Sequence, residues 1–220
     1  MFTGIIKAVG VVRSVQTAPG GVRLVVDAPG LARPLARGAS IAVDGACLTV
    51  VESDARLISF DVVGETLRSS TLGSFRPGRR VNLEPSLRLG DPMDGHQVQG
   101  HVEGVGRVRR VRTDGGRWKV TISADRALMP AIIPKGSVAV DGVSLTIAEA
   151  GADDFTVALI PTTRADTTLG GLEAGRRVNL ETDILVRTVL AALGRCPAAG
   201  GRPAADAGLP GIEVLQENGW

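Results

Sequence analysis

The residues of this chain best suited to chemistry are few, and most come in near-matched pairs. Ser40 and Ser137 form one pair, and Thr49 and Thr146 another. Two pairs are unequal: Cys47 stands against Ser144, and Ser86 against Asp183. Strand-end hydroxyls at equivalent places could form two related pockets, each holding a polar ligand through hydrogen bonds. The plainer alternative is that they are ordinary turn and strand polar residues. The only histidines, His96 and His101, lie in GHQVQGH, which taken alone reads as a solvated linker. On a strand they would point to opposite faces, and on a helix they would also diverge. Zinc needs its ligands on one side with a third nearby, so no metal site is expected. Cys47 sits in an apolar run and reads as a small buried hydrophobe. With Cys196 it makes neither a disulfide framework nor a metal site.

The elements that must position these residues are written twice. VDGACLT begins at Val43 and VDGVSLT at Val140. TLG recurs at Thr71 and Thr168, and GRRVNLE at Gly78 and Gly175, each 97 residues apart. Constant spacing over three blocks marks a tandem duplication. The unit beginnings, KAVGVV and VEGVGRV, match only with a shift of about one residue. Within each unit the segments are short, rich in Val, Ile and Thr, and separated by Gly, Asp or Pro turns. Asp44-Gly45 and Asp141-Gly142 read as hairpin turns. Such strands predict two small closed barrels joined near residues 87–96, which leaves no sheet edge exposed. DILVRTVLAAL, from Asp183 to Leu193, has helical spacing with Asp183 as N-cap, and its apolar face needs a partner such as its own copies. From Pro197 the Ala-, Gly- and Pro-rich tail reads as disordered.

Composition closes off other classes. The 220 residues are 44% hydrophobic and 22% charged, enough for one large packed domain or two of about 100 residues. No apolar run approaches the roughly 18 residues that span a bilayer, and MFTGIIKAVG is not built like a signal peptide. A soluble cytoplasmic protein without membrane contact is expected. Net charge is +2, and RVRRVR (Arg107 to Arg112) alternates like the exposed face of a strand. With four Phe, two Trp and no Tyr, nucleic-acid binding is not expected. GVGRVR lacks the third glycine of a dinucleotide fingerprint, and neither a phosphate-loop GK[ST] nor a G-x-S-x-G elbow occurs.

Together, MFTGII, the paired VDG-x-C/S-LT segments, ETLR…TLG, GHxxxGH and the final VNLE-x-D strongly resemble the riboflavin synthase family. The resemblance runs from Met1 to about Leu193. It implies an all-β fold of two tandem six-stranded Greek-key barrels with a C-terminal helix. The implied domains are a first lumazine-binding barrel at 1–93, a second at 94–183, an oligomerisation helix at 184–196 and a disordered tail at 197–220. The implied reaction moves four carbons between two 6,7-dimethyl-8-ribityllumazine molecules, giving riboflavin and a ribitylamino-pyrimidinedione, with no metal or cofactor. The implied assembly is a homotrimer whose active site lies between barrels of neighbouring chains, with lumazine synthase as a possible associate.

Carried over by position, His101 becomes a base or proton relay for the acidic 7-methyl group, a role suited to histidine. Ser144, Thr146 and Asp183 match the catalytic side of the second barrel, and Ser40, Cys47 and Thr49 the first. Phe2 closes the first pocket, with Thr3, Gly4 and Ile5 beside it. Val63, Gly64 and Thr66, and Ile160 and Thr163, match strand edges that hold the pyrimidine ring; Lys135 joins them. Which of His101, Ser144 or Cys47 begins the reaction stays open. Asp94 replaces a glycine usual before the first histidine, and the helix lacks the tyrosine often found there. A non-catalytic lumazine- or flavin-holding antenna protein is the main alternative; a synthase for a modified lumazine and a reductase's flavin domain are others.

Overall fold

The computed structural model describes residues 1–31, 35–114 and 117–194. Cys196 and the tail expected to be disordered lie outside these residues. The first barrel comprises β1 (Ala8–Ala18), β2 (Gly21–Asp27), β3 (Ser40–Val43), β4 (Ala46–Ser53), β5 (Leu57–Val63) and β6 (Arg80–Pro85). The second comprises β7 (Gly104–Asp114), β8 (Arg117–Ser123), β9 (Ser137–Val140), β10 (Val143–Ala150), β11 (Asp154–Leu159) and β12 (Arg177–Thr182). Both close in one order, β1-β2-β5-β4-β3-β6 and β7-β8-β11-β10-β9-β12. The all-β tandem-barrel expectation holds.

Alternation explains which side chains become available. In β4, Ala46, Leu48 and Val50 point into the core, leaving Cys47 and Thr49 outside. In β10, Val143, Leu145 and Ile147 point in, leaving Ser144 and Thr146 outside. The hairpin before each strand has two residues at positive φ, Asp44 (44°) with Gly45 (82°) and Asp141 (44°) with Gly142 (79°). That is the type I′ turn, which Asp-Gly favours. The one-residue shift seen in the sequence also has its place. β7 and β8 follow β1 and β2 by 96 residues, the later strands by 97, so the extra residue lies between β8 and β9.

The two barrels meet about a pseudo-twofold axis. Phe2 and Val98, themselves 96 residues apart, exchange amide hydrogen bonds of 2.7 and 3.0 Å. The hairpin turns touch so closely that a Cβ on Gly45 would stand 2.7 Å from the Gly142 nitrogen. Beside them Asn82 donates to the Asp141 carbonyl (2.9 Å) and accepts from the Thr168 amide (2.8 Å). Asn179 repeats this with the Asp44 carbonyl and the Thr71 amide, both at 2.7 Å. Four otherwise orphaned buried backbone groups are thereby satisfied.

Two short helices, α1 (Gly64–Ser69) and α2 (Pro161–Asp166), cap equivalent ends of the barrels. A third, α3 (Ile184–Ala192), follows β12 and is capped by Asp183, which accepts from the Leu185 amide at 2.9 Å. Its Leu185 and Val189 are 65% and 59% exposed. No helix among the described residues is long and apolar enough to cross a membrane.

Candidate active site

Around Ser144 the chain brings together four segments far apart in sequence. The Ser144 amide donates to the Gly4 carbonyl at 2.8 Å, so the opening segment lies directly against β10. The His96 amide donates to the Thr3 carbonyl at 3.1 Å. This crossing sets the imidazole over the strand, with His96 Nδ1 and Ser144 Oγ 2.7 Å apart. The ring is half-buried, and its Nε2 has no hydrogen-bond partner among the described residues. Burial holds the imidazole below the ordinary histidine range, while the Asp183 carboxylate pulls the other way. One ring nitrogen thus meets a hydroxyl, and burial disfavours the charged form of the ring.

Buried carboxylates hold this crossing in place. Glu84 accepts from the Thr3 amide and hydroxyl, both at 2.7 Å, and from the Gly4 amide at 2.9 Å. Its repeat Glu181 accepts from the Gln99, Gly100 and His101 amides at 2.6 to 3.0 Å. Burial pushes both carboxyls up, and those donors pull them down. Glu103 receives the Thr182 amide at 2.8 Å and faces Arg187 of α3 at 3.4 Å, which fixes the strand–helix junction carrying Asp183.

The equivalent place on the first barrel is built differently. The Cys47 amide donates to the Gly100 carbonyl at 2.9 Å, as Ser144 does to Gly4. Its thiol packs with Phe2, Ala42, Val98 and Ala139 in a small apolar cluster between the barrels. Nearby, the Ser86 amide binds the Ser40 carbonyl at 3.0 Å. A cavity of about 350 Å³ opens beside Ser86, among Lys7, Leu31, Leu35 and Arg88. Its volume lies within the roughly 300–1,000 Å³ of small-molecule sites.

The comparisons agree with this geometry. The lumazine binding domain family matches residues 3–86 and again 99–183. Riboflavin synthase of Mycobacterium tuberculosis is 43% identical over 199 residues, covering 86% of this chain and 96% of its own. Riboflavin synthase of Escherichia coli is 36% identical over 201 residues, covering 90% and 94%. The chain belongs to the riboflavin synthase family. Among solved structures, LumP complexed with 6,7-dimethyl-8-(1′-D-ribityl)lumazine superposes with a TM-score of 0.74 at 26% identity. That match covers 83% of this chain and 99% of LumP. LumP complexed with riboflavin gives a TM-score of 0.73 over the same shares.

Within this family member, the structure gathers some of the expected residues and separates others. Ser144, Thr146 and Ser137 share the outer face of β9–β10, with Thr146 opposite Ser137. Cys47, Thr49 and Ser40 do the same on β3–β4. Asp183 is close enough to act on His96 by its charge. His101 is exposed and its amide donates to Glu181, whereas the histidine that meets Ser144 is His96. Phe2 is fully buried between the barrels, Thr3 and Gly4 bind Glu84, and the Ile5 amide binds the Thr3 hydroxyl at 3.2 Å. These four residues frame the crossing.

Val63 and Ile160 are exposed at the entries to α1 and α2, where Gly64, Thr66 and Thr163 follow. Arg164 stacks 3.6 Å over Trp118 and fixes α2 against the second barrel. Lys135 is exposed in a left-handed conformation (φ 68°) just before β9. Sequence reasoning missed His96, Glu84, Glu181 and the two asparagines. The identical VNLE blocks were the visible signal for all but the histidine.

Proposed function

We propose that this chain is a riboflavin synthase that converts two 6,7-dimethyl-8-ribityllumazine molecules into riboflavin and 5-amino-6-ribitylaminouracil. One observation carries the mechanism: a half-buried imidazole hydrogen-bonded to Ser144 and within reach of the Asp183 charge. The 7-methyl group of the lumazine is acidic because its anion spreads into the ring, so a neutral histidine is base enough. His96 takes that proton, directly or through Ser144, and Asp183 stabilises the imidazolium formed. Thr146, Lys135, Ile160 and Thr163 hold the donor lumazine on the second barrel. Ser40, Thr49, Val63, Gly64 and Thr66 hold the acceptor on the first, and Cys47 assists the adduct between the two. His101, exposed on the crossing segment, completes the proton path from the facing side.

Four carbons leave one lumazine and join the other, so oxidation and reduction balance within the pair. The chemistry therefore asks for neither metal nor redox cofactor. Holding both molecules replaces a bimolecular encounter, worth up to about 7–11 kcal/mol of barrier in favourable cases. The uncovered Leu185 and Val189 face of α3 supports a homotrimer joined through these helices, with the active site between barrels of neighbouring chains. A cytoplasmic location and a transient association with lumazine synthase belong to the same reading.

The decisive experiment incubates the full chain with the lumazine alone in chelator-containing buffer. Flavin absorbance should grow to one flavin per two lumazines consumed. A tightly bound, unchanged lumazine would instead make the chain an antenna-type binder. Assembly is tested separately by ending the chain at Asp183. That product should lose the trimer on sedimentation, and a persistent trimer rules out the helix as the joint.

A further inference from the structure

The outer wall of the second barrel carries a concentration of positive charge that neither the fold nor the proposed reaction uses. Arg110 and Arg112 point outward from β7, and Lys119 from β8. Arg112 stands directly opposite Lys119 across the ladder, and Arg110 opposite Thr121. Like charges directly opposite are destabilising in a sheet. Neither arginine has an ion-pair or hydrogen-bond partner among the described side chains. Lys119 reaches only Glu149, at 3.5 Å.

The first barrel supplies the internal control. Its β1, β2, β4 and β5 carry Ser14, Gln16, Arg23, Glu52, Ser59 and Asp61 at the matching register positions. There Arg23 and Asp61 form a two-pronged ion pair across the ladder. In the second barrel Lys119 takes the place of Arg23, and Ala158 the place of Asp61. One cation against two carboxylates has become three cations against one. The removed carboxylate also leaves room. A groove of about 210 Å³ lies among Arg110, Arg112, Lys119, Thr121, Glu149 and Thr156. The hydroxyls of Thr121 and Thr156 meet at 3.1 Å on its floor.

We propose that this groove binds a phosphate group, free or as the monoester of a small molecule. Two guanidinium groups and an ammonium suit a dianion, and the hydroxyls add donors for its remaining oxygens. The volume falls below the roughly 300–1,000 Å³ of sites for whole organic molecules, which fits an anionic head with its body outside. None of the residues lining this groove is one that the proposed lumazine reaction uses.

The test titrates inorganic phosphate into the full chain by calorimetry at fixed ionic strength, with chloride as the balancing anion. Saturable binding is expected, weakened at least tenfold in Arg112→Gln and in Lys119→Gln. Ala158→Asp, which restores the first barrel's ion pair, should abolish it while flavin formation is unchanged. A simple alkyl phosphate binding as well as or better than phosphate marks a monoester site. Weaker binding of the ester marks a site for the free ion. No saturation, or binding equal in wild type and all three variants, overturns the proposal.

Discussion

The two barrels place a thiol and a hydroxyl at equivalent points, yet their surroundings differ more than the two atoms do. Cys47 packs against Phe2, Ala42, Val98 and Ala139 in an apolar cluster between the barrels. Ser144 sits under an imidazole at 2.7 Å with a carboxylate behind it. Both strands donate the same backbone hydrogen bond to the opposite crossing segment, to the carbonyls of Gly100 and Gly4. Duplication therefore supplied two equal cradles, and the crossing segments made them unequal. The fold is symmetric where the barrels pack and asymmetric around Cys47 and Ser144.

The sharpest way to break that comparison is to remove the imidazole. His96→Ala should lower turnover by about a hundredfold or more, within the range for a general acid–base group. Ser144→Ala should fall in the same range, and the double variant should cost little beyond either alone, since the pair acts as a unit. Steady-state flavin formation measures all three. A His101→Ala variant more damaged than His96→Ala would move the base to the exposed histidine. The acid limb of the pH–rate profile should lie below the ordinary histidine value, because burial opposes the charged ring.

A second contrast concerns what holds the cradles together. Asn179→Ala leaves the buried Thr71 amide and Asp44 carbonyl unpaired, whose hydrogen bonds were 2.7 Å each. At roughly 1–3 kcal/mol for each unsatisfied buried group, a loss near 3 kcal/mol is expected in urea denaturation. Asn82→Ala should match it, because the axis makes the two positions equivalent. A difference above about 1 kcal/mol between them would show the interface to be less symmetric than its bonds.

How much of this was legible in sequence depends on the range of the forces involved. The repeats, the Asp-Gly turns and the in–out alternation of β4 and β10 are local, and the amino-acid order displays them. His96 was not legible, because its position follows from the Thr3 carbonyl and the Ser144 hydroxyl, neither of them near in sequence. Strand periodicity was also the wrong rule for GHQVQGH, which runs between the barrels outside any named strand. The identical VNLE blocks were visible. That their asparagines serve the partner barrel, and their glutamates the crossing segments, needs an axis no alignment of halves contains. Phe2 was read as closing a pocket, and its burial on that axis has the same cause.

The axis also sets a pH-dependent contrast. Asp44 and Asp141 are both fully buried at the touching turns. Asp44 has Arg79 at 3.3 Å, whereas Asp141 Oδ2 has no hydrogen-bond partner among the described residues. Burial and the neighbouring Asp44 push the Asp141 carboxyl well up, and burial raises Asp44 less. A carboxyl raised in the folded state binds a proton that the unfolded chain has lost. Its effect is therefore a loss of stability as pH rises from about 3.9 toward the folded value. Asp141→Asn keeps the acceptor for the Asn179 amide and removes the charge. It should be more stable than wild type at neutral pH and equal near pH 3. Urea midpoints across that range decide it, and a variant less stable at pH 7 would show the charge to be compensated.

The smallest expected effect separates function from folding at one residue. Lys135 and Gly38 occupy equivalent turns before β9 and β3, each amide bonded at 2.8 Å to the carbonyl of the facing strand. Both have positive φ, 68° and 87°. Glycine accepts that conformation freely, whereas a side chain costs about 1 kcal/mol or more there. The second barrel thus keeps a strained, exposed cation where the first has none. Lys135→Gly should raise stability by up to about 1 kcal/mol, since glycine's unfolded-state entropy offsets part of the relief. If Lys135 helps hold the donor lumazine, the same variant should raise KM for the lumazine more than it lowers kcat. Stability gained with KM unchanged would leave the lysine a turn residue, and the two cradles would then differ at Ser144 and its neighbours alone.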